Sequence, residues 1–153
     1  MDLKNLINED MKAAMKSGDK IKLETVRSIR ALILEFEKSG SGKVLNSEEE
    51  IKMLTTAAKK RKEAIEQYRN AGREDLASKE EAELKIIMEY LPKQLSEVEI
   101  LEEVKKIGNE IGAKAKEDFP KLMPQAMKSL KGKAEGKAVK SAVEKFLGVN
   151  WTF

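Results

Sequence analysis

An all-α fold is predicted for this chain of 153 residues: an N-terminal antiparallel bundle of about four helices joined to a small C-terminal three-helix domain. Three observations carry that expectation. Apolar residues recur at three- and four-residue spacing through most of the chain. Gly, Pro and capping residues punctuate those periodic segments and leave short connections between them. β-branched residues never alternate with polar ones over four or more positions, so no segment reads as a strand.

Leu3, Leu6, Ile7, Met11, Ala14 and Met15 form the apolar stripe of a first amphipathic helix. Ser17-Gly18-Asp19 ends it, and Asp19 can cap the next helix, whose face is Leu23, Val26, Ile29, Ile33 and Phe36. Ser39-Gly40-Ser41-Gly42 breaks that helix, and a loop extends to Asn46. Ser47 with Glu50 reads as a capping box opening a long third helix to Ala71, along Ile51, Leu54, Ala58, Arg61, Ile65 and Tyr68. The aliphatic stem of Arg61 can cover apolar surface there while its head stays wet. Gly72 supplies the positive φ that a helix C-terminus wants. Asp75 or Ser78, the latter with Glu81, then caps a fourth helix along Leu84, Ile87, Met88 and Leu91, which Pro92 stops.

Ser96 with Glu99 opens the next helix by the same capping-box pattern, along Ile100, Leu101, Val104, Ile107 and Ile111 to Gly112. Asp118 and Pro120 form a cap and first-turn pair for a short helix along Leu122, Met123, Ala126, Met127 and Leu130; Pro124 lies in its first turn or shifts its start. Val139, Ala142, Val143, Phe146 and Leu147 make a last short helix before Gly148. Each is too short to persist alone in water, so the three must pack on one another. The expected units are 1–93, 94–148 and a tail 149–153 whose Trp151 docks or frays.

Composition bounds the chemistry. The chain has neither Cys nor His, which excludes disulfides, thiolate nucleophiles, His general bases and His/Cys metal sites. No cofactor is expected. The N-terminus MDLKNLINEDMK is too charged for a secretory leader, and no window approaches the roughly 20 apolar residues of a membrane span. The expected location is the cytoplasm, with no membrane partner. A net charge of +3 argues little by itself, but residues 121–145 carry seven lysines against two glutamates.

Within that basic segment, Lys128, Lys131, Gly132, Lys133, Gly136, Lys137 and Lys140 are the candidate nucleic-acid contacts. Glycines, surrounding lysines and a helix start can together receive a phosphate. The competing reading is that Gly132 and Gly136 only stop and start helices while the lysines are solvated. The segment is not a P-loop: the glycine spacing is short by one, Ala138 replaces Ser/Thr and no strand precedes it. Lys59, Lys60, Lys62, Arg69 and Arg73 form a possible second basic track, or a wet helix face in which Lys62 and Arg69 pair with Glu66. Arg73 can also bond the last carbonyls of the helix before it. Glu80 and Glu83 read better as salt-bridge partners of Arg61 or Arg73 than as proton-transfer groups, since no cleft accompanies them. Tyr68 and Tyr90 fit core packing rather than base stacking, and Tyr90, Leu91 and Pro92 read as structural residues at the join between the domains.

The chain also resembles the GatB/YqeY family. The likeness is carried by Arg61…Tyr68, Ala71-Gly72-Arg73-Glu74-Asp75-Leu76, Glu80, Glu83, Tyr90-Leu91-Pro92 and Gln94-Leu95-Ser96. In the C-terminal half it is carried by Asp118…Lys121-Leu122-Met123, Met127, the run Lys131 to Lys137, Val139, Val143 and Leu147. Stand-alone members resemble the helical and tail domains of the B subunit of glutamine-dependent tRNA amidotransferase, which contact the tRNA body. The resemblance therefore implies tRNA or another structured RNA as partner, and amidotransferase or other tRNA-handling proteins beside it. The family label also implies carbon–nitrogen ligase activity with glutamine as amido-nitrogen donor, yet ATP-binding, glutaminase and nucleophile motifs are missing. A non-catalytic RNA adaptor, an amidotransferase accessory and a protein–protein module are the readings this leaves. Two departures from the family pattern stand out: Pro120 replaces a common Gly, and Lys133 and Glu135 replace Arg and Asp in the glycine loop. Lys keeps the charge but loses bidentate phosphate geometry, and Glu makes a poorer cap than Asp.

Overall fold

The computed structural model describes residues 2–148; the tail with Trp151 lies outside them. Seven α-helices account for the described elements: α1 (Leu3–Ser17), α2 (Lys20–Lys38), α3 (Ser47–Asn70), α4 (Glu74–Tyr90), α5 (Glu97–Ile111), α6 (Phe119–Ser129) and α7 (Gly136–Phe146). One 3-10 turn, Lys116–Asp118, precedes α6, and no strand occurs among the described residues. The all-α expectation holds. The chain divides into two compact units, one ending at Leu91 and the other beginning at Pro92.

In the first unit α1 pairs with α2 and α3 with α4, and α2 packs on α4. Local signals make both hairpins. Gly18 takes a left-handed φ of 74° after α1, and the Asp19 carboxylate accepts from the Lys22 N–H at 3.1 Å to open α2. Gly72, at φ 73°, lets the Arg73 N–H reach back to the Tyr68 carbonyl at 2.8 Å and close α3. Leu3, Ile7, Val26, Ile29, Ile33, Leu54 and Ile87 fill the interior. A fully buried side chain of this size contributes about 1.5–3 kcal/mol of hydrophobic stabilisation.

Three polar side chains tie this core across helices. Glu50 does not form a capping box with Ser47; Asn46 caps α3 instead, accepting from the Glu49 N–H at 2.9 Å. Glu50 is buried, and its Oε2 accepts the Leu3 N–H at 2.7 Å, closing the N-terminus of α1 from a position 47 residues away. A carboxylate there meets both an orphan donor and the positive end of the helix dipole. Tyr90, also buried, donates its hydroxyl to the Asp10 carboxylate, with the Lys22 ammonium 5.0 Å from its ring centroid. Burial, and then the Asp10 carboxylate, push the Tyr90 phenol well above its ordinary range. Arg61 does not keep its head wet: Nε lies 3.4 Å from Glu83 Oε2, and a terminal nitrogen donates to Ser28 Oγ at 3.1 Å. Burial, reinforced by the charge of Glu80, raises the Glu83 carboxyl against the pull of Arg61.

The start of α4 also differs from expectation. It begins at Glu74, with Arg73 at the cap position and no side-chain cap; Ser78 lies inside the helix. Asp75 pairs with Arg73 at 3.2 Å.

The second unit is a three-helix cluster in which α5 packs on α7, and α6 on both. The capping box at Ser96 is formed in full: Ser96 Oγ accepts from the Glu99 N–H at 3.2 Å, and Glu99 Oε1 accepts from the Ser96 N–H at 3.1 Å. Gly108 lets Phe146 of α7 pack directly on α5, since a Cβ there would lie 2.2 Å from its Cε1. Asp118 does not cap α6. Its Oδ2 turns back to accept from the N–H groups of Lys114 and Ala115 at 2.8 and 3.2 Å, which orders the 3-10 turn. Pro124 neither sits in the first turn of α6 nor shifts its start; it lies inside a helix that begins at Phe119.

Two outcomes follow. Glu50→Ala leaves the Leu3 N–H without its acceptor and should cost about 1.5–3 kcal/mol in urea denaturation, whereas Glu49→Ala, on a half-buried carboxylate 3.9 Å from Lys43, should cost no more than about 1 kcal/mol. In the second unit, Glu99 is held below the usual carboxylate range first by the Ser96 N–H, and Asp118 by those of Lys114 and Ala115. A depressed folded-state value contributes stability that is present above the unfolded carboxylate range, near pH 4, and is lost as pH falls through the lowered value. Thermal melts of the chain should therefore lose this contribution below about pH 4, and the Glu99→Gln, Asp118→Asn double variant should flatten that acid limb.

Candidate nucleic-acid interface

The basic segment folds as the C-terminal end of α6, the connection 130–135 and the first turns of α7. The connection is held from within and from the side. The N–H groups of Lys133 and Ala134 both donate to the Leu130 carbonyl, at 2.9 and 3.2 Å. Gly132, at φ 79°, allows that reversal. From the segment ahead of α5, the Leu95 N–H donates to the Lys133 carbonyl at 2.9 Å. The Gln94 amide donates to the Gly132 carbonyl at 2.6 Å and to the Pro92 carbonyl at 3.0 Å. The carbonyls of Gly132 and Lys133 are thus taken by residues 94 and 95, and the lysine side chains of the loop remain exposed.

The candidate residues do not all behave alike. Lys128, Lys133 and Lys137 are exposed and have no ion-pair partner among the described residues. Lys140 lies 3.9 Å from Glu144, one turn along α7, which reduces its availability. Gly136 is the first residue of α7, and Glu135 at the cap position makes no side-chain capping bond to it. The first N–H groups of α7 therefore receive no capping bond from position 135, in keeping with the departure from Asp there.

A hollow of about 270 Å³ adjoins the loop, lined by Lys93, Leu95, Glu103, Ser129, Leu130 and Lys133. It brings a second ammonium, Lys93, and the Ser129 hydroxyl to the same side as Lys133, with Glu103 as the countercharge. Neither Lys93 nor Ser129 is among the residues expected from the sequence. They belong to no motif and meet the loop only through the fold.

The second basic track is broken by acidic neighbours. Arg69 pairs with Glu74 at 3.3 Å and with Glu81, rather than with Glu66. Arg73 pairs with Asp75 at 3.2 Å rather than with the carbonyls of α3. Lys59 and Lys60 remain exposed without a carboxylate partner among the described residues, and Lys62 has a partner of its own. Among the described residues, no three acidic side chains gather where they could hold a metal ion.

A family model described as "Yqey-like protein" matches residues 4–147. A relative in Pyrenophora tritici-repentis, "Altered inheritance of mitochondria protein 41, mitochondrial", is 32% identical over 149 residues, covering 93% of this chain and 79% of that protein. A Saccharomyces cerevisiae protein of the same name is 32% identical over 116 residues, covering 74% of this chain and 62% of its own length. A Schizosaccharomyces pombe protein, named only as uncharacterised, is 33% identical over 97 residues, covering 63% of this chain and 78% of its own. The expected cytoplasmic location is overturned by these relatives, two of which bear mitochondrial names. A leader is read by compartment machinery, and the absence of an apolar secretory segment bears only on secretion.

Gln94→Ala should remove the side-chain half of the loop's anchorage while leaving the Leu95 hydrogen bond. The expected cost is about 0.5–1.5 kcal/mol, with faster amide exchange at Lys133 and Ala134 and none at the Ser96 cap.

Proposed function

The chain belongs to the Yqey-like protein family, and from that premise we propose that it is a non-catalytic adaptor that docks structured RNA, tRNA in particular, through the lysine rim of the 130–135 connection and the start of α7. The observation that carries this reading is the anchorage of the loop by Gln94 and Leu95, which presents Lys128, Lys133 and Lys137 unpaired beside an uncapped helix start. Ammonium groups on a fixed backbone suit phosphate contacts, which position an RNA without reading its sequence. The adjoining hollow, with Lys93 and Ser129, extends that surface. The resemblance to the tRNA-contacting tail of an amidotransferase subunit supports tRNA as the RNA.

Fluorescence anisotropy with a labelled tRNA transcript tests the proposal. Binding should weaken linearly on a log–log plot against salt, by about 0.7–0.9 per phosphate neutralised. Changing Lys128, Lys133 and Lys137 together to Glu should reduce affinity by at least about tenfold and flatten the salt dependence, while the far-ultraviolet circular dichroism stays unchanged. Absence of binding at low salt, or an unaffected triple variant, overturns the assignment.

A further inference from the structure

A concavity of the first unit shares no residue with the lysine rim proposed above for RNA, although Lys60 of the second basic track lines it. It is a trough of about 510 Å³ along the C-terminal half of α2 and the N-terminal half of α3, helices that touch each other only sparsely. Its α3 side runs from Glu49 to Arg61 and its α2 side from Ser28 to Ser39. At 1.5 Å per residue each wall is about 17–18 Å long, or three helical turns. Leu32, Phe36, Met53 and Ala57 form the floor.

The chemistry of the walls narrows the occupant. Their hydroxyls are already committed: Ser28 donates to the Thr25 carbonyl at 2.6 Å, Ser39 to Phe36 at 2.7 Å and Thr56 to Lys52 at 2.9 Å. Arg61 is spoken for by Glu83 and Ser28. Lys43 sits 3.9 Å from Glu49. What remains unsatisfied is the apolar floor and two ammonium groups, Lys52 and Lys60, which have no carboxylate partner among the described residues. Lys52, Thr56 and Lys60 follow one another at four-residue spacing, so the two charges stand on one edge of the trough about 12 Å apart.

From this geometry we infer that the trough docks an amphipathic helix of a protein partner, about three turns long, with aliphatic residues on its buried face and Asp or Glu along the flank that meets Lys52 and Lys60. A groove with an apolar floor and a charged edge is the form in which helices are bound by their one-sided apolar stripe. Met53 supplies an adaptable contact for such a face. A single-stranded nucleic acid would need successive aromatic platforms, and among the described residues Phe36 is the one ring lining the trough.

The test uses the full chain labelled with ¹⁵N. It is titrated with an end-blocked peptide of about 14 residues, carrying leucines at three- and four-residue spacing and glutamates on the flanks. A matched peptide with lysines for the glutamates and an oligouridylate of about nine nucleotides serve as comparisons. The acidic peptide should shift amides of α2 and α3 around Leu32, Phe36, Met53 and Ala57. The exposed double substitution Lys52→Glu, Lys60→Glu should weaken it by about tenfold or more and favour the basic peptide instead. No trough shifts at about 1 mM acidic peptide overturns the inference. Equal response to both peptides, or trough shifts with the oligouridylate and none with the acidic peptide, overturns it as well.

Discussion

Two hydrogen bonds from residues 94 and 95 decide what the C-terminal unit can present. The Gln94 amide and the Leu95 N–H take the carbonyls of Gly132 and Lys133, and by doing so convert a glycine-containing connection into a fixed edge. Ordering each residue of such a loop costs about 1–2 kcal/mol of chain entropy, whereas one hydrogen bond returns about 0.5–1.5 kcal/mol net. The loop therefore needs both, together with the internal turn onto Leu130. The hook is itself positioned by the adjacent Ser96–Glu99 box, which fixes where α5 begins. From cap to hook to lysine rim the chain of cause spans few residues, but it joins segments almost forty positions apart.

The first unit uses a different device. Its hairpins are made by local turn chemistry, and buried polar side chains set how the helices meet. Glu50 joins α3 to the start of α1, Tyr90 joins the end of α4 to the middle of α1, and Arg61 with Glu83 and Ser28 joins α3 to α4 and α2. Each of these groups would be costly to bury alone, and the partners it does have are brought together only by this arrangement of the bundle. Glu50 Oε1 and Arg61 Nε are left without a hydrogen bond among the described residues. The apolar stripe of α3, by contrast, is broad enough that part of it, with Leu32 and Phe36 of α2, is left lining an open trough.

What could be read from the sequence follows the range of the interaction responsible. The Gly18-Asp19 and Gly72 turns and the Ser96–Glu99 box depend on residues within five positions of each other, and all are formed as expected. Ser47 and Glu50 satisfy the same spacing rule, yet Glu50 finds a better donor at Leu3, which no local pattern reveals. Asp118 obeys the pairing with Pro120 in position but turns to Lys114 and Ala115, whose free N–H groups lie equally near in the chain. The lysine cluster is visible as composition. That Arg69 and Arg73 are neutralised while Lys93 joins Lys133 depends on tertiary neighbours, and so does the contribution of Gln94, which the family motif marks without explaining.

The contact between Gly108 and Phe146 has a consequence at the scale of the family rather than of one molecule. With the ring seated where a methyl group at position 108 would stand, the two sites cannot drift independently. Lineages in which position 108 acquires a side chain are expected to carry a smaller residue at the site aligned with 146, and those keeping an aromatic there to retain glycine. Such paired replacement would trace the α5–α7 seam through descent even where the surrounding surface has diverged beyond recognition.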